Sequence, residues 1–594
     1  MPVSDSAIAG MRRAARWILP ELKSQATLVL QNEIGLERLP AAVLASRGYA
    51  DPAAAKKFLS PKLDSLHDPL LLEGMDRAVH RLSEAIKKHA QILLYGDYDV
   101  DGTCSIVLLK KAIELLGGIA DFHIPHRLLE GYGMRSEVIE RAAATGVRLI
   151  VSVDTGIRAN EVVRHANSLG IDVIVTDHHL PEAELPPALA VLNPNRLDCR
   201  YPNKNLCGAG VTFKLVQALF ASSGLSQARQ AALLDSFLKP VAIATVADVV
   251  PLIGENRVIV QRGLSGLRQV KNVGMRSLLA VAGFDDGECP SAHQVAFRLA
   301  PRINAAGRMA TARDVIELFL TGDGDRARAL AEQLDTLNRE RQQAETEIVE
   351  EILRQCEESP FNPDCAGLVF AGSGWHLGVL GIVASRLVER FSRPVFVLSD
   401  TNHGADPNES HLSGSGRSIP AFHLLEALES MPDLFTKFGG HRQAAGLTLR
   451  AASVSEFQKR FNAFALGKLT PDDLCPQYAV DAVANFTELT ELCIGQVLSL
   501  GPFGFGNSSP IFLSEDVEVA GPLKTLKESK HFSVPLRQNG RLLFSKAWNF
   551  GDRCHLFEPG AKLDVLFQIE DDPMSRKRGY GSWCLSLKDA RARA

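Results

Sequence analysis

Gln91-Ile92-Leu93-Leu94-Tyr95-Gly96-Asp97-Tyr98-Asp99-Val100-Asp101-Gly102 is the stretch whose reading decides the fold. An apolar run this short reads as a buried strand, and it delivers three alternate carboxylates onto the loop beyond it. The arrangement recurs downstream. Leu149-Ile150-Val151-Ser152-Val153 is followed by Asp154, and Val173-Ile174-Val175-Thr176 by Asp177-His178-His179. Helical patterns such as Ser105 to Leu116 separate the runs, so residues from about 75 to 250 predict a parallel, doubly wound α/β sheet. In such a sheet the loops leaving the carboxyl ends of the strands form the crevice where ligands bind. Segments remote in sequence are therefore expected on one rim.

Carboxylates gathered in one crevice raise one another's pKa and resist ionisation unless cations neutralise them. Asp97, Asp99, Asp101, Asp154, His178 and Asp248 offer enough ligands for two divalent metal ions, with Asp154 as the expected bridge. Imidazole beside carboxylates shifts the preference from Mg2+, which favours oxygen alone, toward Mn2+. The spacing Asp-x-Asp-x-Asp-Gly also matches half of an EF-hand loop. Position twelve, however, is Leu108 rather than Glu, and a strand precedes the loop instead of a helix.

The chain of 594 residues is long enough for about three to five domains. Residues 1–74 are expected as an N-terminal extension packing on the core, and 75–324 as the sheet domain. No Pro or Gly falls between Asp325 and Ser359, where Leu330, Leu334, Leu337, Ala344, Ile348 and Ile352 mostly fit one helical stripe, so 325–359 predicts a long connecting helix. A smaller α/β domain is expected over 360–455, with strands near Ala366–Phe370 and Pro394–Leu398. Short alternating runs such as Arg541–Phe544 and Lys562–Ile569 predict a β-barrel over 470–594.

Other features narrow the class. Arg12, Arg13 and Arg16 precede only a short apolar stretch ending at Pro20, so no secretory signal is expected. The longest apolar run, Pro240 to Gly254, is broken by Asp248, and no membrane span is expected. Ten scattered cysteines without a C-x-x-C pair argue against disulfides and thiolate zinc, and point to a reducing cytoplasm. With a net charge of −4, any nucleic-acid site must be a local groove. Near the C-terminus, Phe544, Trp548, Tyr580 and Trp583 lie among Lys524, Lys527, Lys530, Lys546, Arg576, Lys577 and Arg578. Both a stacking surface for single strands and core aromatics with a solvated basic face fit that pattern.

The three strand-and-carboxylate motifs resemble the DHH phosphoesterase superfamily. Leu206-Cys207-Gly208-Ala209-Gly210-Val211, Thr245 to Leu252 and Pro301-Arg302-Ile303-Asn304-Ala305-Ala306-Gly307-Arg308 are similar to its RecJ branch in particular. Gly374-Trp375-His376, Gly378 to Arg386, Gly414 to Ser418 and Gly439-Gly440-His441 resemble the accessory DHHA1 domain. Pro502-Phe503-Gly504-Phe505-Gly506-Asn507 is similar to the start of the branch's OB-fold domain. Cys104 stands where the family commonly has Thr, and Ser508 where it often has Pro.

The resemblance implies a metal-dependent hydrolase, a 5′ to 3′ exonuclease that releases 5′-mononucleotides from single-stranded DNA in recombination, mismatch repair and other DNA repair. Asp97, Asp99, Asp101, Asp154, His178 and Asp248 would be catalytic as metal ligands, and His179 would contact the scissile phosphate. Ser415 and Arg417 would form the pocket for the 5′-terminal phosphate, because a guanidinium fork suits phosphate oxygens. Arg127 and Arg302 would clamp the DNA backbone, with Arg308, His376 and His441 as further substrate-binding candidates. The implied partners are single-stranded DNA with a 5′ end, a single-stranded-DNA-binding protein and a RecQ-type helicase, met by a monomer. Superfamily hydrolases of oligoribonucleotides or cyclic dinucleotides share the first motifs but are shorter and usually lack the OB-fold. A catalytically dead scaffold would have lost metal ligands that are all present here.

Overall fold

The computed structural model describes residues 14–21, 23–127, 130–131, 133–358, 364–400, 410–526, 530–572 and 582–593; Arg12, Arg13, Lys527, Arg576, Lys577, Arg578 and Tyr580 lie outside them. The chain divides into two compact units. One comprises Ala53–Arg339 with Ser499–Ser509, and the other Met1–Pro52, Glu340–Leu498 and Pro510–Ala594.

The first unit is built on a five-stranded parallel sheet in the order Ile119–His123, Gln91–Tyr95, Leu149–Val153, Asp172–Thr176, Ala190–Leu192. Leu149–Val153 is buried throughout, as expected of a strand covered on both faces. On one face Leu94, Val151 and Ile174 pack with the helices Val100–Leu115 and Gly208–Ala221. On the other, Ile150 and Val173 meet Ile139 and Val163 of two shorter helices. The strand earliest in sequence lies inside the sheet, so the winding reverses between Gln91–Tyr95 and Leu149–Val153. That reversal is the switch point at which doubly wound sheets bind ligands, and Asp97 and Asp154 leave the strands that flank it.

The helix expected near Ser105 starts at Val100, because the Asp99 side chain accepts from the amides of Asp101 and Gly102 and caps it. Gln227–Ala247 is long and apolar enough, by length and composition, to cross a membrane. Its second half nonetheless joins the core through Leu238, Val241, Ala242, Ile243 and Val246.

Pro502–Asn507 does not open the barrel; it folds into this first unit. The cause is a set of close fits. Arg257, 1 % exposed, donates from Nε to the Phe58 carbonyl at 2.8 Å, and from Nη1 and Nη2 to Leu500 and Gly501 at 2.9 and 2.7 Å. Leu252 N donates to the Phe505 carbonyl at 2.8 Å. A Cβ at Gly504 or Gly506 would stand 2.7 Å from Leu252 or 2.8 Å from Pro251.

The second unit holds a five-stranded mixed sheet in the order Phe435–Gly440, Ala444–Arg450, His411–Arg417, Val395–Asp400, Leu368–Gly372, with only the last pair parallel. Its core stacks Phe396, Phe457 and Phe461 edge to face. Because Phe457, Phe461 and Ala465 belong to helix Val454–Lys468, this domain runs beyond the expected end at 455. The barrel follows the strand order Phe512–Val519, Lys562–Asp571, Trp583–Ala592, Arg541–Ala547, Phe532–Gln538, and closes where the last strand pairs back with the first.

The extension expected over 1–74 is divided. Arg16–Ile18 pairs in parallel with Gln477–Ala479, Arg38 holds Glu488 at 2.8 Å, and Arg47 holds Asp481 at 2.9 Å. The described residues up to Pro52 therefore belong with the barrel, and those from Ala53 with the parallel sheet.

The long helix runs Gly324–Glu358, one residue offset from expectation, and spans about 50 Å at 1.5 Å per residue. Leu330, Leu334, Ile348 and Ile352 are buried along its stripe. The division between the units falls within it, at Arg339 and Glu340. Just beyond, Glu345 is fully buried and compensated by Arg341 at 3.1 Å and by Arg386.

Candidate metal centre

Asp97 follows the first strand and is 6 % exposed, and its Oδ1 is buried without a hydrogen-bond partner among the described residues. Asp99 caps the next helix at 2.9 and 3.0 Å. Asp101 turns the other way and is held by the first amides of helix Gly208–Ala221: Gly208 N donates to Oδ2 at 2.5 Å and Ala209 N to Oδ1 at 2.7 Å. A carboxylate at a helix amino end gains from both the free amides and the helix dipole. Glycine at 208 is a steric necessity here, because a Cβ would lie 2.6 Å from Asp154 Oδ1.

Asp154 has φ +58°, in the left-handed region, and its amide donates to the Thr176 carbonyl at 2.9 Å. His178 Nε2 lies 3.3 Å from Asp154, 3.7 Å from Asp248 and 3.8 Å from Asp101. Asp248 is the C-cap of helix Gln227–Ala247, and its Oδ2 is also buried without a hydrogen bond among the described residues. The next residue, Val249, takes φ +56°. A β-branched residue there is a true outlier, at a cost of about 1–3 kcal/mol.

Ligand atoms of three trios lie within 4.8 Å of one another: Asp97, Asp99 and Asp154; Asp101, His178 and Asp248; and Asp154, His178 and His179. Oxygen donors with imidazole nitrogen suit a divalent first-row cation, and two stranded carboxylate oxygens are what such an ion would satisfy. Burial, then the charge of Asp99, pushes the Asp97 carboxyl well above its usual range. Burial followed by Asp101 does the same to Asp154 and Asp248, and raises Asp99. Burial lowers His178, which favours the neutral, ligating imidazole.

His179 goes the other way. Burial would lower it, but the hydrogen bond from Nδ1 to Asp177 at 2.7 Å, together with the charges of Asp177, Asp101 and Asp97, raises it. Asp177 is fully buried and also accepts the amides of Ile157, His178 and His179 at 3.0, 2.7 and 3.1 Å. Asn193 and Asn195 bind the carbonyls of His179 and His178 at 2.9 and 2.6 Å. Asn304 accepts from Val100 N at 3.1 Å, and Gly307 leaves room for the Tyr98 carbonyl, which a Cβ would approach to 2.4 Å. None of these supports stood among the sequence candidates. Asp177 was visible beside the two histidines, and Asn193 and Asn195 follow a strand as the ligands do. Asn304 and Gly307 lay inside the Pro301–Arg308 motif, which marked the segment without assigning them a role.

Among the arginines, Arg127 lies over the Tyr98 ring at 5.0 Å, and its charge lowers the Asp97 carboxyl against burial. Arg308 bears on Tyr98 as well. Arg302 holds Asp335 at 2.8 Å and donates to the carbonyls of Arg298 and Val281.

In the other unit, Ser415 and Arg417 face the first turn of helix Leu380–Phe391. Arg417 Nη1 donates to Ser415 Oγ at 3.0 Å, and a Cβ at Gly381 would meet Arg417 Nη2 at 2.8 Å and Ser415 Oγ at 3.1 Å. His376 accepts Gly378 N at 3.1 Å and Val379 N at 3.0 Å in the loop leading into that helix. His441 is exposed beyond strand Phe435–Gly440. On the barrel, Phe544 and Trp548 are exposed, whereas Lys546 is paired with Asp572 and Trp583 Nε1 with Glu491.

Comparison with known proteins agrees with this architecture. The DHH family N-terminal domain matches residues 91–245, the DHHA1 domain 365–466 and the RecJ OB domain 480–579. The single-stranded-DNA-specific exonuclease RecJ of Bacillus subtilis (strain 168) is 35 % identical over 575 residues, covering 97 % of this chain and 70 % of its own length. That of Escherichia coli (strain K12) is 39 % identical over 454 residues, 74 % of this chain and 78 % of its own. Among solved structures, RecJ in complex with Mn2+ from Thermus thermophilus gives a TM-score of 0.81 at 30 % identity, covering 98 % of this chain and 80 % of that one. The chain belongs to the RecJ family of single-stranded-DNA-specific exonucleases.

Proposed function

We propose that this protein hydrolyses single-stranded DNA from its 5′ end, using two divalent cations, Mn2+ or Mg2+, and releasing 5′-mononucleotides. The observation that carries the reading is the convergence of Asp97, Asp99, Asp101, Asp154, His178 and Asp248, drawn from separate segments of the chain, into trios with ligand atoms within 4.8 Å. When bound, the cations supply water of lowered pKa and neutralise charge building on the phosphoryl oxygens.

The protein's own groups do the rest. Asp154 and His178 each belong to two trios, and of these the Asp154 carboxylate, with two oxygens, would serve as the shared ligand, while two backbone amides hold the Asp101 carboxylate in place. His179, whose protonated form the bond to Asp177 favours, binds a non-bridging phosphate oxygen through Nε2. Arg127, beside Tyr98 and Asp97, steadies the DNA backbone, with Arg308 and Arg302 as further contacts. Ser415 and Arg417, at the amino end of a helix, receive the terminal 5′-phosphate, assisted by His376 and His441.

Family resemblance supports the polarity, a monomer, work in recombination and repair, and meetings with single-stranded-DNA-binding protein and a RecQ-type helicase. The lack of a disulfide among the cysteines of the described residues supports a cytoplasmic setting. The test is digestion of 5′-labelled and 3′-labelled single strands, with duplex DNA and RNA controls, under Mn2+, Mg2+ and chelator. Early release of the 5′ label from single strands only, abolished by chelator, is expected. Early release of the 3′ label, or cleavage that survives chelation, refutes the proposal.

A further inference from the structure

Pro502–Asn507 is a tight turn in which Phe503 is half-buried and Phe505 exposed. Gly504 N donates to the Asn507 carbonyl at 2.9 Å and Asn507 N to Gly504 at 3.1 Å, while the Asn507 side chain ties Leu500 and Pro502 at 3.0 and 2.9 Å. Arg257 fixes the root of the turn, and the Leu252 amide grips its tip through the Phe505 carbonyl. All this rigidity leaves the Phe505 side chain 61 % exposed. The gripped segment, Pro251–Leu252, begins three residues after Asp248. Between them stands Val249, left-handed at φ +56° and 63 % exposed, at the helix C′ position that glycine fills without steric penalty. Neither side chain is buried by the fold, and one of them is held against its own backbone preference.

We propose that Phe505 and Val249 form an apolar platform on which a nucleobase of the DNA rests while its phosphodiester is presented to the metal centre. The inference rests on the reading of Asp248 as part of that centre. Both side chains are uncharged, so they suit bases and not phosphates. Stacking on an aromatic face is sequence-tolerant, as an enzyme that consumes any sequence requires. A ring carried on a fixed turn also loses little conformational freedom on binding.

The experiment is steady-state hydrolysis of 5′-phosphorylated oligonucleotides carrying a single abasic site at successive positions near the 5′ end. With the wild-type enzyme, KM should rise about tenfold when the abasic site falls at one particular position. Phe505→Ala should raise KM by a similar factor on intact DNA, leave kcat and the Mn2+ midpoint within about twofold, and lose the abasic penalty at that position. Phe505→Trp should restore both. Val249→Gly should raise Tm, by relieving its backbone, and yet raise KM. An abasic penalty that persists undiminished in Phe505→Ala overturns the platform, as does an unchanged KM on intact DNA. A wild-type enzyme lacking Mn2+-dependent cleavage overturns the metal reading beneath it instead.

Discussion

Gly208→Ala is the perturbation the metal centre should feel most directly. A Cβ there would stand 2.6, 2.7 and 2.9 Å from Oδ1, Cβ and Cγ of Asp154, whereas ordinary contact begins at 3.4 Å, so something must move by roughly 0.8 Å. Asp154 has little room to give, because its backbone is left-handed and its amide is bonded to Thr176 at 2.9 Å. The helix cannot retreat without lengthening both amide bonds to Asp101. Over-packing of this kind costs about 1–3 kcal/mol, and alanine's better helix propensity returns up to ~1 kcal/mol, so the fold should survive. A misplacement near 1 Å at reacting groups, in contrast, costs on the order of 100-fold in rate. The assay is mononucleotide release from a 5′-phosphorylated single strand across a Mn2+ titration, with thermal unfolding of the same samples. We expect kcat down about 100-fold and the Mn2+ midpoint moved to higher concentration, with only a modest loss of Tm. If kcat and midpoint both stay within about threefold of wild type, Asp154 does not sit where the argument requires.

Asp154→Ala should abolish cleavage while leaving single-strand binding nearly intact in a gel-shift assay; measurable turnover in a clean preparation removes its bridging role. Arg417→Ala should narrow the rate ratio between 5′-phosphate and 5′-hydroxyl strands, and an unchanged ratio takes Arg417 out of the end pocket. Metal should also act on stability. Asp97, Asp99, Asp154 and Asp248 have folded pKa values above their unfolded ones. The metal-free protein therefore loses stability as pH rises through those values, and regains it as pH falls and protons replace the repulsion. Mn2+ at about 100 Kd should add ~2.7 kcal/mol at neutral pH, on the order of 5–10 °C in Tm. That increment should shrink as pH falls toward 5, and one that grows on acidification contradicts the linkage.

The parts of the site that lie just beyond strands were legible, because a parallel sheet turns a local pattern into a spatial one. Gln91–Tyr95 is the strand the apolar run indicated, and every proposed metal ligand reaches the same rim. The helix start at Val100 was missed by counting apolar residues alone; Asp99, read as a ligand, was also the capping signal. Contacts with no local period were invisible. Asn304 meets Val100 across 204 positions, and although it stands in the Pro301–Arg308 motif, no periodicity there points to that contact. The grouping of Pro502–Asn507 with the first unit was not legible for a related reason: its neighbours in sequence build the barrel, while Leu252 and Arg257, some 250 residues earlier, claim respectively the Phe505 carbonyl and those of Leu500 and Gly501 just before the segment.

The late return of Ser499–Ser509 to the parallel-sheet unit bears on how the protein is made. Ribosomal synthesis delivers all six proposed ligands by residue 248, yet the carbonyls that accept two of the Arg257 donors emerge only around residue 500. Throughout that interval the nascent unit lacks both of those acceptors for a guanidinium it must eventually enclose, and buried donors left unmet are expensive. Until then Arg257 has partners made earlier, such as the carbonyl and ring of Phe58, and its full enclosure waits until translation is five-sixths done.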